Sequence, residues 1–451
     1  MKLLAHHREQ GELPPAVVPL SGMRSSPLHL YFIIIMVGFT LCGGCAPALN
    51  YRTLENHMRA RNCPVAIEFL KKNKKSYGHN NTLIFLLDSA MINLRCGNYD
   101  ESNTYFHKAE KLAEELWTKK LSKEAASFIT NDFILPYNGE DFERALINLF
   151  SALNYVIEGK NEDALVECRR LDSLLLSFND KYEKKNVYKE DAFGRYLSGM
   201  LYEANGNLED AYIDYFKAFK AFQDYGKHYG TRMPESLLHD IIRVAQATGR
   251  ADELDRYNIG ADHYTGIQQK NAEKMGRIVM IHLNGKSPVK IEDKLIVGTK
   301  EGPVSMAFPR YVVNKPQCSA STMIIKGPSK TITVEAELVE DINKIAVKNL
   351  DDRKGRIMAK AIARVALKQT ATKKIDDPFL RFAANVTNTV FIEKADTRSW
   401  KTLPGEIYLA RSFVPEGEYC ISVNHCGGSQ HLDTIHIKAG ETAFLLSDNT
   451  I

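Results

Sequence analysis

The stretch Ser198–Phe219, SGMLYEANGNLEDAYIDYFKAF, sets two helical patterns on either side of one glycine. Residues three and four apart share a helix face. Gly199 and Tyr202 therefore lie together on a first helix, and Ala211, Tyr215 and Ala218 line one face of a second, with Gly206 at the turn between them. Small residues let two paired helices approach closely, and the aromatic residues fill the space between one pair and the next. The stretch predicts a helical hairpin that stacks on others like it.

The pattern recurs. ALNYVIEGKNEDALVECRRL (Ala152–Leu171) places Ala152, Tyr155, Gly159, Ala164 and Leu171 in the same roles, and AMINLRCGNYDESNTYFHKAEKL (Ala90–Leu112) does so with Ala90, Gly97, Tyr99, Phe106 and Ala109. A weaker copy, IIRVAQATGRADELDRY (Ile241–Tyr257), rests on Ala245, Gly249 and Leu254. These copies resemble tetratricopeptide repeats, whose helical hairpins stack into a solenoid. The turn glycines are farther apart than the usual interval of about 34 residues, so extra segments intervene, most obviously from Trp117 to Pro136.

Near residue 275 the pattern changes to alternating β-branched residues between Gly and Pro turns. RIVMIHL, VSMAFPRYVV, TITVEAELV, EIYLARSFV, EYCISV, TIHIK and TAFLLSD read as strands. Their alternation predicts antiparallel pairing and a β-sandwich. A helical insertion at about 341–394 carries Met358, Ile362, Val365 and Ala366 as an apolar stripe, and Arg356, Lys360, Arg364 and Lys368 as a basic stripe. The basic stripe is either a solvated face or a partner-binding surface for anionic lipid headgroups or cell-wall polymer. The expected fold is α+β and multidomain: a tetratricopeptide-like α-helical solenoid over 45–274, then an antiparallel β-sandwich-like domain with a helical insertion over 275–451.

A chain of 451 residues exceeds what one hydrophobic core usually serves. A formal charge of +4 is too small at this length to mark a nucleic-acid binder. The apolar run Leu30–Leu41 is about twelve residues, against the roughly twenty that span a bilayer. With Arg24 before it and Gly43-Gly44 after it, residues 1–44 read as an export signal, and translation is expected to start at Met23. Gly43, Gly44 and Cys45 resemble a bacterial lipobox, in which the cysteine is lipidated, although Cys42 stands where that motif prefers Leu. Ala46 after Cys45 implies outer-membrane sorting in a Gram-negative cell. A redox or zinc half-site at Cys42-x-x-Cys45 finds no second pair at ligand spacing.

Among polar motifs, Glu140, Asp141 and Glu143 offer paired carboxylates for acid–base chemistry, or a helix start capped by Asn138. Asp396 and Arg398 beside Trp400 read as an ion pair at a packed aromatic, or as a ligand contact. Gly285-Lys-Ser287 lacks the glycine that a phosphate loop needs five residues earlier, where Met280 stands. His425, Cys426, His431 and His436 carry metal-ligand chemistry, but neighbours on a strand face opposite ways, which argues against a shared ion. Cys420 and Cys426 are a candidate disulfide pair.

YNGEDFERALINLFSALNY (Tyr137–Tyr155), DALVECRRLD, DAFGRYLSGMLYEANG, HLNGKSPVK, FPRY (Phe308–Tyr311) and ADTRSWKTLP (Ala395–Pro404) together resemble a family of bacterial lipoproteins with a tetratricopeptide-like first half and a β-rich second half. That resemblance implies fold and location and brings no reaction. The expected function is a non-enzymatic, lipid-anchored envelope scaffold or assembly factor, without cofactor or metal, that binds a protein or peptide in a helical-repeat groove. The alternatives are an envelope enzyme on glycan or peptide using Glu140, Asp141 and Glu143, and an accessory protein of an export system.

Overall fold

The computed structural model describes residues 49–122, 135–181, 188–257, 259, 274–299, 302–316, 318, 320–372, 394–426 and 428–450. The export signal and Cys45 lie outside them. From Leu49 onward the chain forms a single compact unit.

Two short helices, α1 (Tyr51–Arg59) and α2 (Cys63–Lys72), precede four helical hairpins. The hairpins pair α3 (Thr82–Arg95) with α4 (Tyr99–Ser122), α5 (Asp141–Ile157) with α6 (Asn161–Lys181), α7 (Ala192–Ala204) with α8 (Leu208–Tyr229), and α9 (Glu235–Ala247) with the short α10 (Ala251–Asp255). All four turns close alike. At the third, Gly206 takes φ +79°, its N–H donates to Glu203 O, and Asn207 N–H donates back to Tyr202 O. This satisfies the last carbonyls of α7 in the Schellman manner. Gly97, Gly159 and Gly249 repeat the geometry. The small residues that defined the repeat, Ala90, Ala109, Ala152, Ala164, Ala211, Ala218 and Ala245, are fully buried.

Gly199 sits under the Tyr215 ring, where an added Cβ would come within 2.4 Å of Cδ1. Gly199→Ala is therefore expected to destabilise the fold by about 1–3 kcal/mol through overpacking. A Cβ on Gly206 would meet nothing within 4 Å, so Gly206→Ala carries only the left-handed backbone cost of about 1 kcal/mol. Urea denaturation of the two variants measures the difference. A smaller loss at Gly199 would disprove the close-approach role.

The second half supplies ten strands: β1 (Met275–Lys286), β2 (Val289–Thr299), β3 (Gly302–Val312), β4 (Thr322–Lys326), β5 (Thr331–Glu335), β6 (Glu337–Asp341), β7 (Pro404–Pro415), β8 (Gly417–His425), β9 (Gly428–Ile437) and β10 (Thr442–Asn449). They form two four-stranded sheets, β10-β1-β7-β6 and β5-β4-β8-β9, and a separate ribbon of β2 and β3. Side chains of the two larger sheets meet in one core, including Ile278, Met280, Met323, Ile325, Ile421 and Val423, which makes the sandwich. The first sheet is covered on its other face as well. Val279, Ile281 and Leu283 of β1, with Ile407 and Leu409 of β7, join the core of the helical hairpins. The result is three layers, helices on sheet on sheet, and the unbroken apolar run of β1 follows from burial on both faces.

Several sequence expectations need correction. β1 pairs parallel with β10, not antiparallel, because the first and last strands of the domain lie side by side. TITVEAELV is two strands: β5 joins one sheet and β6 the other, and the chain crosses at Ala336. β2 and β4 are strands that the sequence expectation omits. The insertion is α11 (Ile342–Thr372), and 373–393 lie outside the described residues. Its apolar face is set by Ile342, Ile345, Ala346 and Leu350, which continue to buried Ala361, so Ile362 is turned outward and 53% exposed. The side chains of Val365 and Ala366 lie outside the described residues.

The cysteine pairing also differs. Cys63 joins Cys96, tying α2 to the end of α3, and Cys318 joins Cys426. The expected partner Cys420 is a free thiol. Cys420 and Cys426 lie along one extended stretch and cannot meet, whereas the β4–β8 ladder, with Thr322 opposite Asn424, brings Cys318 beside Cys426.

Candidate functional site

Three of the segments that carried the family resemblance, Tyr137–Tyr155, HLNGKSPVK and ADTRSWKTLP, meet where the helices join the β-rich half. Two buried ionic networks form there.

The first is built at the start of α5. The N-cap is Glu140, not Asn138, and Glu143 completes a capping box by accepting the Glu140 N–H at 3.0 Å. Gly139 just before it, at φ +79°, turns the chain into the helix. Glu140 is ion-paired with Lys290 of β2 and Arg353 of α11. Burial alone would raise its carboxyl, but Arg353 and Lys290 outweigh that and hold it well below the usual carboxylate range. Glu143 accepts from the Tyr137 hydroxyl and, at 2.7 Å, from the backbone N–H of Trp400. Its carboxyl is raised by burial, with Glu140 adding to the shift against the pull of Lys290.

The segment Lys394–Leu403 is pinned down beside these groups. The Trp400 ring packs edge-on against Phe106 and Phe150, and its indole N–H donates to Thr402 Oγ1 at 2.9 Å. Thr402 in turn donates to Asp88, which also accepts from Tyr51 and Tyr77. Arg398 forms the expected ion pair with Asp396 at 2.7 Å and donates to Leu135 O at 2.8 Å. It is a strut between the β-rich half and the helices. Ser287 of the GKS sequence donates to Trp400 O, and Lys286 pairs with Glu55.

The second network follows from strand alternation. The side of β1 and β7 that presents Val279, Ile281, Ile407 and Leu409 to the helices also presents Arg277 and Arg411. Glu203 of α7 meets Arg277 at 2.7 Å, Arg411 at 3.1 Å and Arg243 of α9 at 2.8 Å, and accepts from Tyr215 at 2.6 Å. Asp240 pairs with Arg243 and Arg411 and accepts from Tyr196. Burial would raise the Glu203 carboxyl, but the three guanidiniums hold it well below its ordinary value. A third acid, Glu340 of β6, is fully buried, accepts from Tyr225, and is raised far above the carboxylate range by burial and by Asp191.

These arrangements give the acidic cluster a structural role. Glu140 and Glu143 are engaged by a helix end, two internal cations, a tyrosine and a backbone amide, and neither lines any described cavity. Among the described residues no group of three or more His, Cys, Asp or Glu could hold a metal; Cys426 is a disulfide partner, and His425 stacks on His282.

The inner face of the hairpins, made by α3, α5, α7 and α9, is occupied by the protein's own sheet. Every residue of α5 except Tyr155 and Ile157 is buried. An open concavity lies on the other side, between α4 and α6. It is a groove of about 740 Å³ floored by Arg144 and Ile147 and walled by Trp117, Val166 and Leu174. Glu110 and Glu114 flank one wall, Arg169 and Arg170 the other. Arg144 stacks between Trp117 at 4.4 Å and Phe178 at 5.0 Å. Sequence reading missed this groove, because its residues come from two different hairpins. Of the basic stripe, Arg356 is exposed and Lys360 half-buried, whereas the side chains of Arg364 and Lys368 lie outside the described residues.

No family model matches the chain, and no curated protein is similar to it. Among solved structures, a Podosopora anserina protein described as a kinesin light chain with nearly identical TPR-like repeats aligns at 13% identity and a TM-score of 0.28, over 48% of this chain and 95% of its own. A point variant of that protein aligns at 14% identity and a TM-score of 0.29, over 47% and 92%. The Rap conjugation gene regulator of plasmid pLS20, in complex with a Phr peptide, aligns at 14% identity and a TM-score of 0.27, over 53% of this chain and 65% of its own. These are likenesses to helical repeat proteins, and no function is carried from them to this chain.

Proposed function

We propose that this chain is a lipid-anchored scaffold or assembly factor of the bacterial cell envelope, tethered through Cys45 to the outer membrane and facing the periplasm. The observation that carries the location is the pair of disulfides, Cys63–Cys96 and Cys318–Cys426, in a body that follows an apolar run ending at a cysteine. Structural disulfides persist in oxidising compartments. The helical repeats support a partner that is protein or peptide. With the inner face filled by the sheet, the α4–α6 groove, with Arg144 and Ile147 at its base, apolar walls and charged rims, is where that partner binds.

Two measurements test this reading. Metabolic labelling with a palmitate analogue is expected to mark the protein, to be lost in Cys45→Ala and to persist in Cys42→Ala; labelling retained in Cys45→Ala would refute the anchor. In-cell crosslinking is expected to recover an envelope protein that the Val166→Glu/Leu174→Glu variant no longer captures. Recovery of a transporter component would assign the protein to an export system, and equal capture by both forms would remove the groove from the reading.

A further inference from the structure

A second cleft, of about 480 Å³, opens where the end of α8, the connection from β3 to β4 and the first turns of α11 meet at β6 and β7. Strand register builds its deep end. Asp341, the last residue of β6, stands directly opposite Glu406 of β7, and directly opposed residues carry their side chains on one face of the sheet. Asn343, two residues on, is 4% exposed and lines the same cleft. Val313, Pro316 and Val347 supply apolar walls.

The hydrogen-bonding capacity left over at this end is of one kind. Glu406 accepts from the Tyr408 hydroxyl at 3.0 Å and from Asn284 Nδ2 at 3.1 Å, both on Oε2, and its Oε1 has no donor among the described residues. Asn343 donates from Nδ2 to Gly405 O, and its buried Oδ1 has no partner. Asp341 accepts the Lys344 backbone N–H on Oδ1 and meets the Lys344 ammonium at 3.0 Å on Oδ2. The free positions are acceptors, so the complementary ligand group is a donor. The Glu406 carboxyl is raised by burial and further by Asp341, and a positive charge beside it is therefore favoured. Among the described residues no group of three or more His, Cys, Asp or Glu could hold a metal, whereas an ammonium carries three N–H donors, and Lys344 already sets one on Asp341. The remaining charges facing the cleft are His228 of α8, Lys315 of the β3–β4 connection, and Lys348 and Asp351 of α11; Lys348 is held by Asp352 at 3.0 Å.

We propose that this cleft binds a primary ammonium group on an aliphatic stem, with the ammonium on Glu406 and Asn343 and the stem along Val313, Pro316 and Val347. The ammonium belongs to a lysine side chain of a protein or to a small free amine. This cleft and the α4–α6 groove share no lining residue, so the two readings fail separately.

The test is a ligand-observed NMR titration of the full chain with n-butylamine, with Nα-acetyl-lysine amide, and with n-butanol as the same stem without the charge. Saturable binding of n-butylamine and none of n-butanol is expected. Glu406→Gln, which keeps an acceptor for Tyr408 and Asn284, should weaken amine binding about tenfold or more. Lys344→Met removes the internal ammonium that competes at Asp341 and should tighten binding about twofold to fivefold. Both variants should keep the parent unfolding midpoint in urea. Binding of the lysine amide as well upholds the protein-lysine form of the proposal, and binding of n-butylamine without it upholds the free-amine form. No binding of either amine, equal binding of n-butanol, or an affinity unchanged in both variants would overturn the proposal.

Discussion

Glu203→Ala is expected to lower the unfolding free energy by about 3–5 kcal/mol, the scale for removing one partner from a buried ion network. Its side chain is 1% exposed and faces Arg243, Arg277 and Arg411, which are 4–11% exposed. Without it, Asp240 remains as the nearby acid against three guanidiniums cut off from water. The Tyr215 hydroxyl also loses its acceptor. Glu209→Ala is the control: Glu209 pairs with Arg250 at 2.8 Å but is 58% exposed, and its loss should cost less than about 1 kcal/mol. Urea denaturation of both variants gives the comparison. Equal losses would mean that the apolar contacts of β1 and β7, not this network, hold the sheet on the helices.

The helical half was legible because its rules are local. A turn glycine with small residues at fixed distances on either side is visible in a window of about 22 residues, and Gly199, Ala211, Tyr215 and Ala218 stand where that window placed them. What was illegible is non-local. Glu140 looked like a helix-start acid, and nothing near it in the chain points to Lys290 and Arg353, 150 and 213 positions away. The same holds for the parallel partner of β1 and for Cys318, whose pairing is fixed by the β4–β8 register and not by spacing. Arg277 and Arg411 could have been suspected, since each stands on the face of its strand that is otherwise apolar, among Val279, Ile281 and Leu283 or Ile407, Leu409 and Phe413. A charge at such a position requires a buried partner.

Glu140 separates the structural from the catalytic reading of the acidic cluster. Glu140→Gln keeps the shape of the N-cap but deprives Lys290, 3% exposed, and Arg353, 23% exposed, of the carboxylate that pairs with both. The expected loss is about 3–5 kcal/mol. The pH dependence adds a second signature. A carboxylate held below its unfolded value contributes stability that is fully present above about pH 4.5 and is lost as pH falls toward the folded value. The parent should therefore lose stability below about pH 4.5, and Glu140→Gln should lack its share of that fall. Glu143 and Glu340 act in the opposite sense, because their raised carboxyls favour the folded state at low pH and lose that contribution as pH rises. Among the described residues Glu140 and Glu203 thus contribute acid destabilisation, offset in part by the buried carboxyls that are raised, Glu143, Glu340, Asp88 and Asp191 among them. If Glu140→Gln unfolds at the parent's urea midpoint at both pH 7 and pH 4, the pairing with Lys290 and Arg353 does not carry the fold, and a catalytic role for Glu140 regains its footing.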